Sequence, residues 1–453
     1  MRPHPITLAA CVRAGLAVCL GAGALRPLGA QARTPSDSLS STERAIARAV
    51  DKGNADAIAL LQRIVNINSG SMNVQGVRAV GDVLRPELDA LGFKTRWVDG
   101  TPFHRAGHLI AEHPGTGPRL LLIGHLDTVF EPSSPFQRFE MLADSMARGP
   151  GIIDMKGGDV IIIHALKALK QAGALTGLNI TVVFHGDEEK SGEPLQLARA
   201  DLTAAARTAD YAIGFEDGAA DPKTAVIARR SAGGWVLHVK GTAAHSSQIF
   251  RDEVGAGAIF EAARVLNGFR ERLQGQQYLT FNPGVALGGT LVRLDSTSTD
   301  GSASGKSNVV AASMEVSGDL RTISPEQLAS AKATMREVTT ASLPHTSSSI
   351  EFVDGYPPMA PTEGNRRVLA MYDSASRNLG LGGVVAVDPS KAGAADVSFA
   401  APFVKGALDG IGLSGHDDHT ERETADLRML APLTKRAALL LLRLSSTPAP
   451  PRP

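Results

Sequence analysis

The chain has 453 residues, with 46 basic and 46 acidic side chains, 43% apolar residues and 4% aromatic ones. That length exceeds one compact domain and implies two. The balanced charge argues against wholesale binding to nucleic acid or to an anionic membrane, which needs clustered Lys and Arg to displace counterions; a small substrate is expected instead.

Residues 1–32 read as a secretory signal peptide: Arg2 precedes an apolar stretch from Leu8 to Leu28, which ends in Ala30-Gln31-Ala32. Arg13 interrupts the stretch, and Gly and Ala dominate it, which disfavours a membrane-spanning helix. Both cysteines, Cys11 and Cys19, fall inside this segment. Its removal would leave no thiol, excluding disulfides, cysteine catalysis and thiolate metal sites together. The expectation is a periplasmic or secreted protein, free of the membrane once the signal is gone. Residues 33–42, rich in Ser, Thr and Pro, read as a lead-in.

From Glu43 the pattern predicts helices near 55–66 and 76–91 and apolar strands at Leu120–Ile123 and Ile180–Phe184, an α/β alternation. Strands apolar on successive residues fit a sheet covered by helices on both faces. Near residue 229 the texture changes. A strand Gly234–Lys240, a helix Gly255–Leu273, a strand Val309–Leu320 and a helix after Pro325 predict an inserted α+β unit of ferredoxin-like type over 229–345. The Ser/Thr/Gly stretch 296–307 reads as a loop. The first texture resumes over 346–447, with a strand near Ile350–Val353, a helix 363–379, a strand Val384–Val387 and a long helix Ala425–Leu444. The first segment of this unit is 33–228, and 448–453 is a Pro-rich tail.

Polar motifs follow the apolar strands, at the edge where open α/β sheets bind ligands. Gly124-His125-Leu126-Asp127-Thr128 places His125 and Asp127 on a strand-end turn, where a carboxylate can hold the second ring nitrogen of a metal-bound His. Gly151-Ile152-Ile153-Asp154 opens onto a helix 159–171, and Asp154 alone could be an N-cap. His185-Gly186-Asp187-Glu188-Glu189 ends a second strand. Paired carboxylates there can divide the work, one binding metal and its neighbour taking a proton from water. Tyr211-Ala212-Ile213-Gly214-Phe215-Glu216 repeats the pattern. Oxygen and imidazole donors without thiolate suit zinc, manganese or cobalt.

As a set, these motifs resemble the di-zinc exopeptidases and amidohydrolases that include glutamate carboxypeptidase, aminoacylase, succinyl-diaminopimelate desuccinylase and the cytosolic dipeptidases. The resemblance spans nearly the whole chain beyond the leader. It implies two Zn²⁺ per subunit, with Co²⁺ or Mn²⁺ as substitutes. His125 would bind one ion with Asp127 orienting it, Asp154 would bridge both, Glu189 and Glu216 would each ligate one, and Glu188 would be the general base. Within Gly415-His416-Asp417-Asp418-His419-Thr420-Glu421-Arg422-Glu423, the family's late histidine is best matched by His419, with His416 as the competitor. Gly241-Thr242-Ala243-Ala244-His245 matches the segment whose His reaches the partner's active site and stabilises an oxyanion, which implies a homodimer. Asn308 and Arg321 resemble substrate-binding positions, Arg321 as an anchor for a carboxylate, and Lys391 stands where it could touch substrate. The activity implied is hydrolysis of an amide next to a C-terminal residue such as glutamate; the alternative is an aminoacylase, deacetylase or dipeptidase acting on N-acyl amino acids.

Overall fold

The computed structural model describes residues 39–217, 221–295 and 297–447; the expected signal peptide and the Pro-rich tail lie outside them. Among the described residues no helix is long and apolar enough to cross a membrane.

A six-stranded sheet forms the centre of the α/β body. Its strands run in the order Lys94–Asp99, Gly107–His113, Asn179–His185, Arg119–His125, Tyr211–Gly214 and Gly406–Leu408. The last four are mutually parallel, and Lys94–Asp99 with Gly107–His113 adds an antiparallel edge. Alternate residues of one strand feed two cores. Leu120 and Leu122 join the cluster with helices Ser41–Val65, Val74–Leu91, Lys156–Gln171 and Leu430–Ser445, whereas Leu121 and Ile123 join Leu202, Ala206, Val397 and Ala400 on the other face. Coverage of both faces is why the strand is apolar without alternation. Helix Ser41–Val65 starts at a capping box, in which Ser40 and Glu43 each satisfy the other's backbone N–H.

A four-stranded antiparallel sheet, ordered Thr280–Gly289, Ser313–Arg321, Ala232–Lys240 and Ser347–Tyr356, forms a second layer. Trp235, Leu237 and Val239 pack on helices Gly257–Leu273 and Pro325–Thr340, which gives β-α-β-β-α-β order. The strand near Ile350–Val353, expected after a return to the first texture at 346, belongs instead to this layer, because Ser347–Tyr356 pairs with Ala232–Lys240. Its alternating exposed and half-buried residues are those of a one-sided sheet, not of the doubly covered one. The stretch 296–307 is also not simply a loop: Gly301–Ser304 pairs with Leu291–Leu294 as a hairpin. The late helix begins at Leu430, because Thr424–Asp426 is drawn into a strand.

A further four-stranded sheet, Gly415–His416, Thr424–Asp426, Met146–Arg148 and Glu140–Met141, ties the loop of the last motif to the turn that carries Asp154.

Candidate metal centre

The carboxyl ends of three adjacent parallel strands supply most of the site. His125 closes Arg119–His125 in register with His185, the residue from which the Glu188-Glu189 loop departs, and Glu216 follows Tyr211–Gly214 on the other side. Close backbone approach underlies this edge. A Cβ on Gly214 would fall 2.2 Å from the Asp409 carboxylate, and one on Gly158 would fall 2.0 Å from the Phe215 carbonyl oxygen. Glycine is what lets the helix after Asp154 press against the strand leading to Glu216.

Two donor groups share Asp154. Nε2 of His125 lies 3.1 Å from Oδ1 of Asp154 and 3.6 Å from Oε1 of Glu216. Nε2 of His419 lies 2.9 Å from Oδ2 of Asp154 and 3.1 Å from Oε2 of Glu189. His125, Asp154 and Glu216 form one cluster able to hold an ion, and Asp154, Asp418 and His419 form another. Asp418 is a donor that the motif pattern around His419 does not single out. His416 belongs to neither cluster, lying exposed in the strand Gly415–His416.

The carboxylates crowd one another. Burial, then Asp154, pushes Glu189 up to about 8. Burial pushes Glu216 to about 7, although His125 opposes it. Burial disfavours charge on His125, yet Glu216, Asp127 and Asp154 together outweigh it and lift the imidazole well above its ordinary value. Hydrogen bonds to Asp154 and Glu189 raise His419 to about 11. Oxygen and nitrogen donors converging in two groups on a shared carboxylate, with negative charge in need of cations, fit a pair of divalent metal ions. His125, Asp154 and Glu216 would hold one, and His419, Asp154 and Glu189 the other.

The supports are as specific as the donors. The fully buried Asp127 carboxylate accepts from the Ser71 hydroxyl at 2.6 Å and from the backbone N–H groups of Glu188 at 3.0 Å and Glu189 at 3.1 Å. Nδ1 of His125 lies nearer the Asp127 carbonyl oxygen, at 3.1 Å, than its carboxylate, at 3.4 Å. Asp127 thus holds the Glu188 loop with its side chain and faces His125 mainly with its main chain. Glu423, also fully buried, accepts from the backbone N–H groups of Gly151, Ile153 and Asp154, clamping the turn that presents Asp154. Burial, then the Glu216 and Asp396 carboxylates, raise the Glu188 carboxyl well above the usual range.

A cleft of about 240 Å³ opens over this centre, lined by Asp154, Glu188, Glu189, Glu216, His419, Arg229 and Lys391 among others. His245, Asn308 and Arg321 do not line it. His245 bridges Val309, and Ser246 N–H donates to the Asn308 carbonyl, so these two residues sit together beyond one end of strand Ser313–Arg321. Arg321 occupies the strand's other end, with Nε on Asp319. One chain therefore cannot bring Arg321 and Asn308 onto a single carboxylate. Arg229 was not foreseen in the cleft. Its Nε donates to buried Asp409, which also accepts from the Glu216 N–H.

The family model for peptidase family M20/M25/M40 matches residues 121–443. The chain belongs to that family. It is a metallopeptidase by membership, and its fold is shared with structurally characterised members. Carboxypeptidase G2 of Pseudomonas sp. (strain RS-16) is 27% identical over 400 residues, covering 86% of this chain and 89% of the relative. The aminopeptidase PepT of Bacillus cereus superposes with a TM-score of 0.67 at 18% identity, over 87% of this chain and 99% of the other. The YXEP protein of Bacillus subtilis, a dinuclear metal-binding peptidase of the M20 family, gives 0.60 at 15% identity, over 88% and 99%.

Proposed function

We propose that this M20 metallopeptidase is an exported di-zinc exopeptidase that hydrolyses the amide bond next to a C-terminal residue, with glutamate the first candidate. The observation that carries the reading is Asp154, whose two oxygens face two separate donor groups beside Glu188. Likeness to a carboxypeptidase over most of both chains supports the choice of scissile bond, and Lys391, exposed in the cleft, supplies positive charge for a substrate carboxylate. Export rests on the apolar segment before Ala30-Gln31-Ala32. A homodimer is part of the proposal, because His245 lies exposed and off the cleft of its own chain, where a second copy could use it.

Two divalent ions held by the donors named above would supply Lewis acidity for the amide carbonyl and for a water. The chain's own residues do the rest. Asp127 sets the main chain of Glu188, and Glu188 takes a proton from the attacking water as its oxygen bonds the carbonyl carbon. Glu188 then delivers that proton to the amide nitrogen as the C–N bond breaks.

The test is a panel of C-terminal glutamyl peptides and N-acyl amino acids offered to zinc-loaded protein, before and after chelation. Preference for the glutamyl peptides, lost with the metal and restored by it, is expected; preference for N-acyl amino acids would move the protein to the acylase alternative. Glu188→Gln should lower kcat by about 10²–10⁴-fold with both ions retained, and wild-type turnover in that variant would remove Glu188 as the base.

A further inference from the structure

A buried network lies behind Glu188 that none of the proton transfers uses. Arg199, 1% exposed between helices Leu195–Ala198 and Ala200–Thr208, is its hub. Its Nε donates to the Asp396 carboxylate at 2.7 Å and its Nη1 to the Asp187 carboxylate at 2.8 Å. Its Nη2 is within hydrogen-bond reach of the Asp187 carbonyl, the Ser191 hydroxyl and the Tyr356 hydroxyl, the last at 2.7 Å. The second oxygen of Asp396 meets Nδ1 of His185. The guanidinium thus holds the loop at Asp187 and at Ser191, on either side of Glu188 and Glu189.

Tyr356 holds the middle of the same loop. Its hydroxyl accepts from Arg199 and donates to the main-chain carbonyl of Glu188 at 3.0 Å. Tyr356 itself belongs to the other layer, as the last residue of strand Ser347–Tyr356. Beyond it the chain passes through Pro357-Pro358 to Met359, which exchanges two backbone hydrogen bonds with Arg229, so both crossings between the layers meet there. Among the described residues, Tyr356 supplies the hydrogen bonds that second-sheet strands make to residues 187–192. Its ring is fixed by Phe399, 5.0 Å away, and by the Arg199 guanidinium, 5.5 Å from its centre.

We propose that Tyr356, held by Arg199, is a positioning residue that sets the Glu188 main chain according to where the second sheet stands against the first. The proposal rests on Glu188 being the base. Displacement of the second sheet about the 357–359 crossing moves the Tyr356 hydroxyl relative to the Glu188 carbonyl. Because Asp127 also accepts from the Glu189 N–H, which shares a peptide plane with the Glu188 carbonyl, that plane is gripped from both sides. A base must stand within hydrogen-bond reach of the proton it takes, so small errors in this plane reduce turnover more than binding.

The experiment uses full-length, zinc-loaded Tyr356→Phe, which keeps the ring and deletes the hydroxyl, with Arg199→Lys and the double variant alongside. For Tyr356→Phe we expect kcat lower by roughly 10- to 100-fold, KM within about twofold and zinc content unchanged. We also expect faster amide hydrogen exchange at Glu188–Gly192 but not in strand Asn179–His185. In the Arg199→Lys background the same change should cost less than about twofold more, as for partners in one network. Wild-type kcat with unchanged loop exchange, a loss matched by missing zinc, or losses that multiply independently would each overturn the proposal. Glu188→Gln separates the two readings. Its full activity would remove the base, while the exchange data would still report whether Tyr356 holds the loop.

Discussion

Asp127→Asn perturbs the site at one atom and tests the division of labour described for that residue. The carboxylate accepts three hydrogen bonds, two of them from the main-chain N–H groups of Glu188 and Glu189. Asparagine keeps one acceptor oxygen and turns an NH₂ group toward a donor that was satisfied before. A buried donor left without a partner costs about 1–3 kcal/mol, and loss of support around a metal site of this kind typically lowers metal affinity or activity by about 10–100-fold. The damage should be uneven. His125 retains the Asp127 carbonyl oxygen, which the substitution leaves in place, whereas the Glu188-Glu189 main chain loses one of its two carboxylate acceptors. The ion held with His419 and Glu189 is therefore expected to weaken more than the one held with His125 and Glu216. Zinc titration against a competing chelator, followed by steady-state kinetics at saturating zinc, reads both quantities. Equal weakening of the two sites, or wild-type affinity with wild-type kcat, would refute the assignment of the Asp127 carboxylate to the Glu188 loop.

Glu423→Gln, which breaks the three-bonded clamp on the Gly151–Asp154 turn, should lower zinc affinity by about 10–100-fold, measured as zinc retained after dialysis. His164 is pushed down to about 4 by burial, and then by Lys167, from an ordinary value of 6.5. The unfolded chain therefore takes up the proton first, and stability falls as pH drops from 6.5 to 4, by up to about 3 kcal/mol. His164→Leu should flatten the unfolding-midpoint profile across that window, and an unchanged slope would rule His164 out as its source. Ser40→Ala removes half of the capping box and should cost about 0.5–2 kcal/mol in urea unfolding.

What was legible in the sequence was whatever a buried strand delivers directly. His125, Glu188, Glu189 and Glu216 stand within a few residues of apolar runs, so the run and the polar residue that ends it were read together. Asp154 and His419 needed the family pattern, because their presentation depends on a small sheet of very short strands with no periodicity of their own. Arg199, Arg229 and Tyr356 were invisible for a related reason. Arg199 in a helical turn and Arg229 in an isolated bridge each look like surface charge until Asp396 is seen beside the first and Asp409 beside the second, and those two partners come from distant parts of the chain. Distance matters in the other direction at Asn308 and Arg321, close in sequence yet set apart by the length of one strand, Asn308 before its start and Arg321 at its end.

The small sheet that joins Met146–Arg148 to Thr424–Asp426 has a consequence for biosynthesis. His125, Asp154, Glu189 and Glu216 all leave the ribosome well before His419 and Glu423 do. A nascent chain thus carries the proposed donors of one ion early, while its Asp154 turn still lacks the Glu423 clamp and the proposed second site still lacks its imidazole. Competence for two-metal chemistry arrives only with the last part of the chain, so truncated or stalled products would have metal-binding residues without a hydrolytic pair.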